Sequence, residues 1–209
     1  MGAAIAFLHA SLEPGYRVEA VDTTGHWPGT YLADSGIPLA RGWFRQDDFP
    51  VNAVLYERPT AATYLAWLHS LGVEYVVLAD ALPDYSSRVE AKLVANPRGP
   101  LVPVFRSGLV MIYAVPHPQP IVTGPGRPEL LSLTEERLRL LVSRGGTYRI
   151  AVRWSPYWRT SDGCLSKGKD GMLRLQTRSA RLVRLAFRVD TGRVLDTLAG
   201  EAPECRLPR

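Results

Sequence analysis

A proline- and glycine-rich segment divides this chain between two different hydrophobic patterns. The segment PHPQPIVTGPGRPE, residues 116–129, has too many prolines and glycines for a regular helix or strand. Before it, helical and strand-like periods alternate, whereas after it apolar residues recur at every second position. We therefore predict an α+β protein with an α/β layer domain at residues 1–116, a linker at 117–128, and an antiparallel β-sandwich with a C-terminal tail at 129–209.

The first domain shows its clearest helix in TAATYLAWLHSLG. Ala61, Tyr64, Leu65 and Leu68 recur at helical spacing, and Gly72 stands where a left-handed cap is expected. The segments AAIAFLHASL and SRVEAKLVAN are the other candidate helices. YRVEAV and the almost wholly apolar VEYVVLAD predict strands, and LVPVFRSGLVMIYAV predicts a hairpin that turns at Ser107-Gly108.

The second domain shows alternation typical of strands with one buried face. TYRIAVRW places Tyr148, Ile150, Val152 and Trp154 on one side, and MLRLQT and RLVRLAFRV continue the pattern. The half is also basic: residues 101–209 hold 18 Lys and Arg against 9 Asp and Glu, whereas residues 1–100 hold 7 against 11. Because the arginines alternate with apolar residues, we assign them to the solvent-exposed face of half-buried strands. We therefore expect no nucleic-acid partner.

Residues 36–56, GIPLARGWFRQDDFPVNAVLY, mix apolar anchors with charged side chains. We expect a packing segment in which Arg41 and Arg45 pair locally with Asp47 and Asp48. The predicted anchors are apolar and widely spaced: Ile37, Leu39, Trp43, Phe49 and Leu55. The alternative is a ligand site, since Arg41 and Arg45 can hold an anion and Trp43 can stack on a sugar.

A second aromatic group lies in SPYW, where Tyr157 and Trp158 are candidates for a carbohydrate-binding surface. Aromatic packing at the edge of the sandwich explains the same residues, so both interpretations stay open.

The alternative acid/base candidates are Asp80 and Asp84, which follow the predicted central strand VEYVVLAD. Ligand sites in open α/β sheets lie at the carboxyl ends of strands, so these two carboxylates suit a hydrolase or transferase. The competing interpretation is a turn entering a helix, because Asp side chains accept hydrogen bonds from nearby backbone N–H groups.

No motif indicates a metal or a cofactor, and we expect neither. The four histidines are scattered, without the short spacing of a zinc site, and the chain has no GxGxxG, P-loop or GxSxG sequence. Cys164 and Cys205 are the only cysteines, both in polar, loop-like surroundings. They predict a disulfide that ties the C-terminal tail to the sandwich in an oxidising compartment.

The blocks RVE, GIPLARGW, GVEYVVL and SPYW, followed by Cys164 and DGM, occur in an order that resembles one family. That family is the C-terminal soluble region of large polytopic bacterial membrane proteins labelled "6-pyruvoyl-tetrahydropterin synthase-related domain", which are similar to GT-C glycosyltransferases. The likeness covers nearly all of the chain. Pterin synthase activity is not implied, because those enzymes hold zinc with three histidines that include an HxH pair, which this chain lacks.

The resemblance implies a non-catalytic accessory domain on the extracytoplasmic face of the bacterial cell membrane. Its expected partners are an upstream transmembrane region of the same protein, a glycan or lipid-linked sugar, and an anionic membrane surface. Two alternatives stay open: an independent carbohydrate-binding module that uses Trp43, Tyr157 and Trp158, and a soluble enzyme centred on Asp80 and Asp84.

Overall fold

The polypeptide divides at its proline-rich segment into two units, Met1–Pro120 and Ile121–Arg209. The structure is a computed structural model, and it describes residues 1–41, 49, 51–189 and 192. Helices and strands are both present, so the chain is a mixed α+β protein.

The first unit combines helices with a four-stranded sheet. Its helices are α1 (Gly2–Ser11), α2 (Trp27–Asp34), α3 (Ala53–Tyr56), α4 (Ala61–Leu71) and α5 (Arg88–Val94), with a 3-10 turn at Tyr85–Ser87 before α5. Its strands are β1 (Arg17–Ala20), β2 (Val73–Ala79), β3 (Val102–Ser107) and β4 (Val110–Ala114). The strand order is β1-β2-β4-β3, with β1 parallel to β2 and the other pairs antiparallel.

The residues at its two ends determine where helix α4 begins and ends. Thr60 Oγ1 accepts a hydrogen bond from Thr63 N at 3.2 Å, and Thr63 Oγ1 accepts one from Thr60 N at 2.9 Å, which forms a capping box. The helix ends at Gly72, whose φ of 76° is left-handed as predicted.

The segment at 36–56 packs only in part as expected. Ile37 and Leu55 are buried, and Leu39 pairs in parallel with Val18 of β1. The prediction for Phe49 is wrong, because 52% of its surface is exposed while its ring touches Tyr56 edge-on. The predictions for Trp43, Arg45, Asp47 and Asp48 lie outside the described residues.

The second unit contains two four-stranded sheets. Its strands are β5 (Val122–Thr123), β6 (Glu129–Leu133), β7 (Arg137–Val142), β8 (Gly146–Arg153), β9 (Trp158–Thr160), β10 (Cys164–Lys167), β11 (Met172–Thr177) and β12 (Arg181–Phe187). One sheet has the order β10-β11-β8-β5 and the other β6-β7-β12-β9. Every pairing recorded between these strands is antiparallel.

One hydrophobic cluster contains residues from both sheets of the second unit. Tyr148, Ile150 and Leu173 come from the first sheet, and Leu138 and Leu185 from the second. The predicted linker at 117–128 is wrong in one respect, since Ile121 and Val122 are buried and β5 pairs with β8.

Candidate functional site

The outer face of β7 and β12 carries arginines in direct register. Along β7 the burial alternates, so Leu138 and Leu140 enter the core while Arg137 and Arg139 are exposed. Arg139 lies opposite Arg184 of β12. Like charges directly opposite each other destabilise an antiparallel pair. The pair therefore concentrates positive charge on the exposed face of this sheet.

A groove runs beside this pair at the edge strand β9. Its volume is about 470 Å³, and its lining is mainly basic and hydroxylic: Arg159, Thr160, Ser161, Arg184, Ala186 and Arg188. Ala186 stands between Arg137 on one neighbouring strand and Arg159 on the other. The register thus places a small side chain between two arginine positions.

No carboxylate among the described residues lies within salt-bridge distance of the Arg139 or Arg184 guanidinium group. Asp162 approaches Arg184, but its Oδ2 accepts from the Arg184 backbone N at 3.4 Å and from Ser161 Oγ at 3.3 Å. We call Arg137, Arg139, Arg184 and Arg188 the arginine face.

Arg41, a predicted ligand-binding residue, lies in a buried ionic cluster of the first unit. Its Nη1 is 3.8 Å from Glu19 Oε1 and 3.7 Å from Glu90 Oε2. Tyr64 donates to Glu90 Oε1 at 2.9 Å. Burial, followed by the charge of Glu90, raises the pKa of Tyr64 well above its ordinary value, so the phenol remains a donor. Arg41 is therefore inaccessible to a ligand, and its carboxylate partners come from β1 and α5.

Tyr157 and Trp158 both pack against Phe187. The ring centroids lie 5.8 Å apart for Tyr157 and 5.4 Å for Trp158, in edge-to-face arrangements. Trp158 is only 7% exposed and belongs to the core cluster of the second unit. It has too little free surface to stack on a sugar, and Tyr157 is itself partly buried.

Asp84 occupies the turn position that its sequence context also allowed. Its Oδ2 accepts from Ser86 N at 2.9 Å and from Ser86 Oγ at 2.6 Å. Burial raises the pKa of Asp84, but the bonds from Ser86 and Tyr85 and the nearby His26 outweigh it, and the pKa falls below its ordinary value. A carboxyl group held ionised in this way is a poor general acid. Asp80 is exposed, and its backbone N donates to Leu109 O at 2.6 Å.

Substituting Ser86 with alanine is expected to move the pKa of Asp84 upward, because the ionised carboxylate loses its hydroxyl donor. A depressed pKa adds stability above the unfolded value of the group and loses it as pH falls through the folded value. The acid-induced loss of stability should therefore be smaller in the variant. Titration of the Asp84 carboxyl carbon by NMR measures the pKa, with the exposed Ser179→Ala as control. An unmoved titration curve would contradict the assignment.

Cys164 is disulfide-bonded and buried. The chain's other cysteine, Cys205, lies outside the described residues, so the predicted pairing stays a prediction.

Sequence reasoning missed a His–Asp pair at the carboxyl end of β1. His26 Nδ1 lies 2.7 Å from Asp22 Oδ2, and Asp22 Oδ1 accepts from Thr23 N at 3.0 Å. His26 has a left-handed φ of 54°, which is uncommon for a residue other than glycine. The available signal was an Asp and a His four residues apart, directly after a strand.

Comparisons of the chain with protein-family models, curated proteins and solved structures gave no match. Within the described residues, no helix is both long and apolar enough to span a membrane. Nor do three His, Cys, Asp or Glu side chains come together there as metal ligands.

Proposed function

We propose that this chain is a non-catalytic accessory module of a GT-C-like membrane glycosyltransferase at the extracytoplasmic face of the bacterial membrane. In this proposal the arginine face rests on anionic lipid headgroups, and the module holds a glycan or lipid-linked sugar near a membrane-embedded catalytic part. The resemblance of the RVE, GIPLARGW, GVEYVVL and SPYW blocks suggests the glycosyltransferase, and the arginine face suggests the membrane contact.

The observation that carries the membrane contact is the direct opposition of Arg139 and Arg184 on an exposed sheet face. Like charges in this register repel each other, and an anion bound between them relieves the repulsion. Lipid phosphates supply such anions at high local density, and each basic residue near an anionic membrane surface contributes about 1 kcal/mol.

Exposed leucines accompany the arginines on the same sheet. Leu141 follows Arg139 on the outward side of β7, and Leu131 of the neighbouring β6 is also exposed. Basic side chains beside apolar ones suit the boundary between headgroups and acyl chains, as in amphipathic membrane-binding elements. In this proposal the two sheets form the predicted sandwich, and β6, β7, β12 and β9 present the outer face.

Two further features agree with the proposal. The disulfide at Cys164 suits an oxidising compartment outside the cytoplasm. The turn geometry of Asp84, with its lowered pKa, favours a structural carboxylate over an acid/base pair with Asp80. The catalytic carboxylates of the proposed enzyme therefore lie outside these positions.

The double variant Arg139→Gln, Arg184→Gln is expected to bind anionic vesicles about 30-fold more weakly than the parent chain. The estimate takes about 1 kcal/mol for each arginine and 1.36 kcal/mol for each factor of ten. Flotation with phosphatidylglycerol-containing vesicles at several salt concentrations measures the partition coefficient. Binding should also weaken as salt rises, because screening shortens the reach of the charges.

The matched control removes two exposed arginines of the first unit, Arg88 and Arg98. It has the same net charge as the test variant, and we expect it to keep most of the vesicle binding. If both variants lose the same amount of vesicle binding, overall charge explains the effect, and the result contradicts a specific role for the arginine face. Equal binding to phosphatidylcholine vesicles would contradict the electrostatic mechanism.

A further inference from the structure

The carboxyl ends of β1 and β2 form a topological switch point. β2 pairs in parallel with one edge of β1, and Leu39 pairs in parallel with Val18 from the other edge. After β1 the chain passes through α2 to Leu39 on one edge of β1. The later parallel strand β2 lies on the other edge of β1. Open α/β sheets bind their ligands at this place, in the crevice outside the carboxyl ends.

The polar groups of the first loop, residues 21–26, are held rigidly. Asp22 is 2% exposed and both of its oxygens accept hydrogen bonds, one from His26 and one from the Thr23 backbone. The His26 side chain is 39% exposed, so the imidazole reaches the surface while the carboxylate orients it. Thr23 Oγ1 is buried in the same turn without a hydrogen-bond partner. Such a hydroxyl is costly unless a ligand or water satisfies it.

The loop after β2 pairs with this first loop through its backbone. Thr24 N donates to Leu82 O at 3.0 Å, Asp84 N donates to Asp22 O at 3.1 Å, and Thr23 forms an antiparallel bridge with Pro83. Backbone bonds therefore join the two loops, and they fix the position of Asp84 relative to the loop that carries His26.

Large hydrophobic side chains are exposed on these elements. Tyr85, next to Asp84, is 76% exposed, and Leu82 is 67% exposed. On the α2 side, Tyr31 is exposed and contacts Trp27 edge-on at 6.3 Å. Aromatic rings beside a few fixed polar groups are the usual lining of a small-molecule site. Their faces match the C–H faces of a sugar ring.

The charge of the two loops selects against an anionic ligand. Carboxylates of Asp22, Asp80 and Asp84 follow the two strands, with His26 and Arg88 as the cationic side chains of the same stretches. Ionised carboxylates only accept hydrogen bonds, so they suit a ligand rich in hydroxyl donors. A phosphate or carboxylate would meet like charge, whereas a neutral sugar meets acceptors and an aromatic face.

We propose that the carboxyl edge of β1 and β2 binds a neutral pyranose sugar. His26, which the buried Asp22 orients, meets the sugar hydroxyls, and Tyr85 lies against the ring face. This site belongs to the first unit and does not depend on the arginine face. It takes the place of Tyr157 and Trp158 as a sugar-binding surface, while the prediction for Trp43 lies outside the described residues.

Saturation-transfer NMR of the full chain with maltotriose, cellotriose, mannotriose and chitotriose tests the proposal. We expect at least one of these neutral sugars to bind and to shift the His26 ring resonances. His26→Gly and Tyr85→Ala should each weaken that binding at least tenfold, and His9→Ala, an exposed histidine of α1, should leave it unchanged. Glycine accepts the left-handed conformation of residue 26, so the turn should fold in the variant.

Three results would overturn the proposal. One is that none of the four sugars perturbs the His26 ring, and another is unchanged affinity in both His26→Gly and Tyr85→Ala. The third is that inorganic phosphate binds at the same ring more tightly than every sugar. Vesicle flotation of the His26→Gly chain separates this site from the proposed membrane contact, since that variant should bind anionic vesicles like the parent.

Discussion

Replacing Arg41 with methionine is expected to lower the free energy of unfolding of the first unit by about 3–5 kcal/mol. The guanidinium group lies within 4 Å of Glu19 and Glu90, and at most 1% of each of the three side chains is exposed. Removing the cation leaves two carboxylates in a site with almost no water. Urea unfolding, followed by hydrogen exchange of the amides in β2, measures the loss in the first unit alone.

The control for Arg41→Met is Arg98→Met, which removes an exposed arginine of the same unit. We expect a change within about 0.5 kcal/mol there, as for most surface substitutions. Adding Glu19→Gln and Glu90→Gln to Arg41→Met should recover part of the stability, because the site then holds fewer buried charges. If the triple variant has a lower free energy of unfolding than Arg41→Met, the two carboxylates stabilise the unit without the arginine, which contradicts the prediction.

The ionic cluster also affects the proposed sugar site. Glu19 belongs to β1, three positions before Asp22, and Tyr64 of α4 reaches Glu90 of α5. The cluster therefore joins β1 to two helices close to the strand end where Asp22 and His26 lie. The buried charges hold this strand in place, and the partly exposed imidazole of His26 lies beyond its carboxyl end.

Local signals were enough to predict α4 and the hairpin of β3 and β4. Thr60 and Gly72 fix the ends of α4 through their own side-chain or backbone properties. The hairpin turns at Gly108 and Leu109, one residue later than predicted, because Ser107 still pairs with Val110. These features depend on neighbours in the chain, which the sequence displays directly.

The sequence analysis did not predict helix α2, although its first turn contains a helix start signal. The sequence WPGTYLAD has a glycine in its first turn, which reads as a loop. Pro28, however, stands in the first turn, where its fixed φ and missing N–H are tolerated. Burial of Leu32 against the sheet then stabilises a helix that propensity alone would not.

The candidate sites depended on pairings that sequence alone does not show. Arg41 takes Glu19 and Glu90 as partners from distant elements, which a local reading of the segment does not reveal. The opposition of Arg139 and Arg184 follows from the β7–β12 register, which alternation leaves undetermined because a shift of two residues preserves the faces. The Asp22–His26 bond occurs together with a left-handed φ at His26, which the sequence pattern does not predict.

Truncating Trp158 to alanine is expected to cost the second unit about 3–5 kcal/mol of unfolding free energy. The indole is almost fully buried in the core of that unit and packs edge-on against Phe187 at 5.4 Å. Alanine leaves a cavity between β9 and β12 and removes the aromatic pair. Urea unfolding, with hydrogen exchange of the β11 and β12 amides as the probe, measures the change.

Two comparisons decide whether Trp158 serves packing or ligand binding. Trp158→Phe keeps a ring against Phe187 and should lose clearly less stability than Trp158→Ala. Val189→Ala, at an exposed position, should change the free energy of unfolding by no more than about 0.5 kcal/mol. A stacking platform would show the opposite pattern: nearly unchanged stability in Trp158→Ala together with lost affinity for the neutral trisaccharides. Because the indole has little surface left for a ligand, we expect Trp158→Ala to lower the stability of the second unit. Sugar binding at the first unit should persist under conditions in which the second unit of the variant remains folded.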